Sequence, residues 1–245
     1  MNNVQIQNKV VLVTGAESGI GRAVAGKMLE TGARVVGADL EQKWSHGANK
    51  EQYLFVKTDL TEMEDLERLF AETEKHFGSI DVLVNCAGIT GLEGIFDITP
   101  ESWDKMMSIN VKAVFFCCQK ALQVMLPGKA GKIINISSNA GKSGGKAVGA
   151  HYSASKAGVI NITKTLALFA ADYGITVNCV APGPTRTPMT DRWGGAVNEG
   201  LIEKIPLKRF AEPDEVAEAV LFLVSDKADF ITGEILDVNG GLLMD

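Results

Sequence analysis

Tyr152 and Lys156 stand four residues apart in AHYSASKAG, residues 150–158, and the residues between and after them are small. On a helix, positions i and i+4 project from one face, so the lysine ammonium lies near the phenol oxygen. A free phenol ionises near ~10, too high for an efficient base at neutral pH. A neighbouring cation favours the phenolate, and a depression of roughly 2–3 units corresponds to about 3–4 kcal/mol of differential stabilisation. The pair is thereby a candidate general acid/base. An amphipathic helix with a surface tyrosine and lysine has the same spacing, so the pair needs company to carry meaning.

A second constellation lies near the start of the chain. VVLVTGAESGIGRAV sets Gly15, Gly19 and Gly21, with Ser18 and Ile20 among them, between an apolar run and an amphipathic one. Glycines there permit a tight turn and close backbone approach, and a helix N-terminus offers free N–H groups and a positive dipole end to a pyrophosphate. The spacing is T-G-x-x-x-G-x-G rather than G-x-G-x-x-G, and a purely structural turn would use the same residues. Asp39 closes the next apolar run. A carboxylate there accepts hydrogen bonds from adenosine ribose hydroxyls and repels a 2′-phosphate, although a solvated turn aspartate would read alike. Glu17 adds negative charge where a phosphate-selective protein would profit from arginine, and no basic residue immediately follows Asp39. NAD is therefore expected over NADP.

These residues need a scaffold, and the chain supplies an alternating one. KVVLVT, ARVVGAD, YLFVKTD, IDVLVNCAG, GKIINISS, GITVNCVAPG and GEILDVNGG read as strands. Helical patterns occupy 20–31, 62–77, 100–125, 150–173 and 214–225. Such alternation predicts an α/β fold: a single-domain, Rossmann-type, doubly wound parallel sheet over residues 1–245, with helices on both faces. The connection 40–52 is short and polar, with room for a stub of helix at most. The longest interruption, 184–212, is a natural substrate lid. GKIINISSNAG brings Ser137 and Ser138 to the carboxyl end of a strand, where α/β proteins place ligands.

Composition narrows the function classes. Net charge is −6 with dispersed basic residues, which gives no electrostatic footprint for nucleic acid or an anionic membrane. MNNVQIQNKVVLVTGAES lacks the charged start and long apolar run of a signal peptide or membrane span. Cys86, Cys117, Cys118 and Cys179 lie in apolar segments without C-x-x-C spacing, which predicts core packing in a reducing, cytoplasmic setting. His46, His76 and His151 have no metal-ligand spacing, and no metal site is expected.

Taken together, the motifs closely resemble the short-chain dehydrogenase/reductase family, in order and over nearly the whole chain. The resemblance rests on Thr14–Gly21, NCAG at 85–88, Asn110 in MSINVKAVF, Ser138, Tyr152 with Lys156, and APG at 181–183 followed by Thr187. It implies that Tyr152 is the acid/base, that Ser138 orients the substrate oxygen, and that Lys156 binds the nicotinamide ribose and lowers the phenol pKa. Asn110 would hold a water that links Lys156 to solvent. Ser137 is the close rival of Ser138, and family spacing to the tyrosine favours Ser138. The implied cofactor residues are Gly15, Ser18, Gly19, Ile20, Gly21, Asp39, Asp59, Leu60, Asn85, Ala87, Gly88, Tyr152, Lys156, Pro182, Gly183 and Thr187. Cys86, where the family commonly has a second asparagine, Glu17 and the short 40–52 connection depart from the pattern. The resemblance also implies a homotetramer, with the apolar helix near 108–125 as one contact.

Substrate choice is expected to come from 91–96, 140–151 and the lid. Lys142, Lys146, Arg186 and Arg192 could read a carboxylate or phosphate, or could simply be solvated, and His151 reads as packing. The main reading is an NAD-dependent dehydrogenase of a polyol, sugar-derived alcohol or hydroxy acid. The alternative is a 3-oxoacyl-thioester reductase using NADPH, which ITGEILDVNGG also resembles. A catalytically silent cofactor-binding module is the reading from another class, and the presence of Asn110, Ser138, Tyr152 and Lys156 together argues against it.

Overall fold

The structure, a computed structural model, describes residues 6–44, 47, 51–145 and 148–244. Seven parallel strands form one sheet in the order β3-β2-β1-β4-β5-β6-β7. They are β1 (Val10–Thr14), β2 (Arg34–Asp39), β3 (Tyr53–Lys57), β4 (Val82–Asn85), β5 (Gly131–Ile136), β6 (Ile175–Pro182) and β7 (Ile235–Val238). The order reverses between β1 and β4, which opens a crevice at their carboxyl ends.

Strands of such a sheet are buried on both faces, which is why they read as unbroken apolar runs. In β1, Val11 and Val13 join one core with Val24 and Met28 of helix α1 (Gly19–Glu30) and Val216 and Val220 of α8 (Pro213–Val224). Leu12, pointing the other way, joins a second core. That core is built by α2 (Met63–Phe77), α4 (Ala113–Met125) and α6 (Ala150–Ala170), through Leu69, Cys118 and Val159 among others. Asn85 and Asn135 interrupt it. They are register partners on β4 and β5, and the Asn85 amide donates to Asn135 Oδ1 at 2.9 Å. Asn135 in turn donates to Thr163 Oγ1 of α6 at 3.0 Å.

The helix expected at 100–125 is three pieces. Thr99 caps α3 (Pro100–Met107), which runs through a π-helical turn, Ser108–Lys112, into α4. Pro100–Gly128 is long and apolar enough to cross a membrane by length and composition, but Cys117, Cys118, Ala121, Leu122 and Met125 are buried in the protein core. The helix expected to reach residue 173 ends at Ala170, followed by a 3-10 turn. Two further helices were not foreseen: α5 (Asn139–Ser143), and α7 (Gly195–Lys204) inside the lid. The described part of 40–52 contains no helix.

Candidate active site

The glycine turn joins β1 to α1 at the reversal point. Gly15 and Gly19 have φ of +66° and +52°, which side-chain-bearing residues rarely adopt. A Cβ on Gly15 would sit 2.8 Å from the Ala87 Cα, and one on Gly21 would strike the Gly15 carbonyl. The turn is thus packed backbone to backbone, with its surface left open. A cavity of about 290 Å³ lies on it, lined by Gly15, Ser18, Gly19, Ile20 and Gly21 from the turn. Asp39, Asp59, Leu60, Ala87, Gly88 and Thr187, also from the expected set, line its other walls.

A larger cavity of about 660 Å³ shares Ile20, Cys86, Gly88 and Thr187 with the first, so the two form one crevice. Ser138, Tyr152, Lys156, Pro182 and Gly183 line it. Ser138 caps α5, its Oγ accepting from the Ala140 N–H at 3.2 Å. Ser137 also reaches the cavity, but its hydroxyl is committed to the Lys156 carbonyl at 2.7 Å. That commitment separates the two serines in favour of Ser138.

The expected depression of the Tyr152 phenol is not present in this site. Burial pushes its pKa up, and the Ser138 hydroxyl pulls the other way. Burial also lowers the Lys156 pKa, to about 8. Its Nζ donates to the Ile136 carbonyl at 3.0 Å and stands 5.9 Å from the centre of the Tyr152 ring.

Two expected residues lie behind the crevice and do not line it. The Asn85 side chain turns into the core toward Asn135 and Cys118, so only its backbone is left to face a cofactor. Asn110 is fully buried in the π turn. Its Oδ1 accepts from the Ile89 N–H, and its Nδ2 donates to the Ile89 carbonyl, both at 2.9 Å, and to Ser155 Oγ at 3.0 Å. Both Nδ2 hydrogens are thus committed to protein groups, while Oδ1 keeps a second acceptor site.

Glu17 also departs from expectation. It is 4% exposed and its carboxylate points away from the crevice, accepting from the backbone N–H groups of Lys43 and Trp44. Cys86 does line the crevice, but burial raises its thiol to about 12, so it is no nucleophile at neutral pH.

Of the four candidate substrate-reading cations, Lys142 pairs with Asp237 at 2.6 Å and Arg186 with Glu212 at 2.9 Å. Arg192 is exposed, and Lys146 lies outside the described residues. His151 is fully buried, with Nε2 3.7 Å from Glu93, in keeping with a packing role. The far wall of the large cavity is Val148, Trp193, Val197 and Leu201, which fall in the segments expected to set substrate choice, and Leu242 and Leu243, which sequence reasoning missed. The signal for those two was the leucine pair after the last strand.

The crevice runs from the glycine turn to the Tyr152–Lys156 pair, and known proteins resemble the chain over nearly its whole length. The family described as Enoyl-(Acyl carrier protein) reductase matches residues 15–243. A 3-oxoacyl-[acyl-carrier-protein] reductase FabG of Staphylococcus epidermidis is 40% identical, the match covering 97% of this chain and 100% of that protein. The protein of the same description from Thermotoga maritima is 37% identical, covering 98% and 100%. Among solved structures, the crystal structure of gox2181 superposes with a TM-score of 0.92 at 34% identity, covering 98% of this chain and 97% of that one. The class is an NAD(P)-dependent oxidoreductase acting on CH–OH groups. Within that class, the chain belongs to the short-chain dehydrogenase/reductase family.

Proposed function

We infer that the chain is an NAD(H)-linked reductase of 3-oxoacyl compounds, and that it catalyses the reverse oxidation of the 3-hydroxyacyl products. The observation that carries this reading is the apolar far wall of the large cavity, formed by Val148, Trp193, Val197, Leu201, Leu242 and Leu243. An acyl chain is matched by such a wall. A polyol or sugar would use the polar part of the lining, Asn139, Ser143 and Lys204, and would leave that wall unmatched. The names of the curated relatives point the same way.

The glycine turn fits a dinucleotide because it lines the cavity with main chain and without bulky side chains, and Asp39 stands where the adenosine ribose would lie. When bound, the cofactor supplies or accepts the hydride. Ser138 holds the substrate oxygen, and Tyr152 protonates it. The raised phenol pKa keeps that proton in place at neutral pH, which suits reduction. Lys156 binds the nicotinamide ribose and replenishes the proton. Asn110 would hold the water of that relay through the acceptor site left on Oδ1. The reading includes a cytoplasmic setting, supported by four free cysteines, and a homo-oligomer, supported by the exposure of Leu168 and Phe230.

The test is turnover on 3-oxoacyl thioesters of increasing length, on polyols and on hydroxy acids, each with NAD(H) and NADP(H). At ~0.8 kcal/mol per buried methylene, kcat/KM should rise about fourfold per CH₂ until the cavity is full. Higher kcat/KM on a polyol, or no dependence on chain length, would overturn the reading.

A further inference from the structure

Glu17 is the unexplained residue of the glycine loop. A carboxylate buried to this degree is costly unless it is fully partnered. Its Oε2 accepts from the Lys43 and Trp44 N–H groups, both at 2.6 Å, and its Oε1 accepts from the Tyr53 hydroxyl at 2.9 Å. Asp39 does the same one step closer to the crevice. Its Oδ2 accepts from the Glu17 N–H at 3.1 Å and its Oδ1 from the Leu40 N–H at 2.8 Å. Four backbone donors, from the glycine loop and from the start of the β2–β3 connection, thus converge on two protein carboxylates. Converging backbone N–H groups form the kind of nest that otherwise receives a phosphate. Trp44 closes the arrangement, edge-on to Tyr53 with ring centres 5.9 Å apart.

We propose that Glu17 is a second determinant of cofactor choice, acting with Asp39 by fixing the path of residues 40–44 so that the backbone donors of this turn are spent on carboxylates and are not turned toward a 2′-phosphate. The proposal rests on the NAD(H) reading above. It differs from simple charge repulsion at Asp39, because Glu17 does not face the crevice. It acts through the donors it consumes and through the path it imposes on residues 40–44. Removing Asp39 alone frees the Glu17 and Leu40 N–H groups but leaves those of Lys43 and Trp44 capped.

The experiment measures the dissociation constants of NADH and NADPH by fluorescence titration without substrate, with thermal unfolding as a control for folding. The proteins are the wild type, Asp39→Ser, Glu17→Gln, and a triple variant, Asp39→Ser with Glu17→Ser and Tyr53→Phe. The tyrosine is changed so that no buried hydroxyl is left orphaned. The triple variant should shift the NADPH:NADH affinity ratio by about tenfold or more beyond Asp39→Ser, the worth of one charge-assisted hydrogen bond. Glu17→Gln, which keeps the shape and removes the charge, should shift it about threefold in the same direction. The second variant keeps the question answerable if the triple variant fails to fold. A wild type that binds NADPH more tightly overturns the cofactor reading and this inference with it. A wild type that prefers NADH, with folded Glu17 variants of unchanged ratio, overturns this inference alone.

Discussion

Replacing Gly141 by alanine should damage catalysis without altering the glycine turn. Gly141 lies in α5, where its backbone abuts α6 at the level of Lys156. An added Cβ would fall 2.6 Å from the Lys156 carbonyl carbon, 2.8 Å from its oxygen and 2.9 Å from the Ala157 nitrogen. All three are backbone atoms, so no side chain can swing aside. Restoring ordinary contact requires the helices to part by about 0.8 Å. Ser138 moves with α5, because its Oγ and carbonyl hold the Ala140 and Gly141 N–H groups. Tyr152 and Lys156 stay with α6. A displacement near 1 Å between groups that must act on one oxygen costs on the order of 10²-fold in rate. Overpacking should also lower stability by about 1–3 kcal/mol. The glycine turn belongs to other elements, so NADH affinity measured by fluorescence titration should stay within about threefold of wild type. The assay is kcat beside that dissociation constant on the same preparation. A folded Gly141→Ala protein with wild-type kcat would refute the idea that α5 sets the Ser138 position against α6.

Three further outcomes follow from the site. Tyr152→Phe should lower turnover by about 10²–10⁴-fold, the usual range for a lost acid/base, while still binding NADH in titration; full activity would remove the tyrosine from its role. Lys142→Met should leave substrate KM unchanged yet destabilise the protein by about 1–3 kcal/mol in urea, because the carboxylate of Asp237 loses its partner. A rise in KM without loss of stability would restore Lys142 as a substrate contact. Lys156 has a pKa lowered to about 8 from an ordinary 10.5, so between those values the unfolded chain binds more protons and stability rises with pH. From pH 8 to pH 10 the wild type should gain about 2 kcal/mol in urea unfolding relative to Lys156→Met, and an equal response in both would place the Lys156 ammonium in a more solvated setting.

The parts of the molecule most legible in the sequence were those with a local cause. Seven apolar runs bounded by turn residues became seven strands, since strands buried on both faces leave no other pattern. The glycine turn was legible because the positive φ of Gly15 and Gly19 restricts those positions to glycine. What escaped depended on distant neighbours. The π turn at Ser108–Lys112 carries no marker residue, and its purpose is visible only once Asn110 meets Ile89 across the fold. The inward turn of Glu17 could not be read without Tyr53, 36 positions away, nor the pairing of Lys142 without Asp237, 95 away. The shifts of Tyr152 and Lys156 ran against spacing alone because burial, which i,i+4 geometry does not report, outweighs their proximity.

The paired amides of Asn85 and Asn135 have a consequence for assembly of the sheet. VLVN and GKIINI are almost uniformly apolar, so neighbouring alignments of β4 on β5 bury nearly the same hydrocarbon surface and differ little in that respect. A slip of two residues keeps every side chain on its own face, yet it would part the two asparagines and break the amide–amide hydrogen bond between them in a dry interior, at about 1–3 kcal/mol. The pair therefore works as a registration mark, and Thr163 extends the mark to α6. Through it, the helix that carries Tyr152 and Lys156 is indexed to the same two strands whose ends frame the crevice.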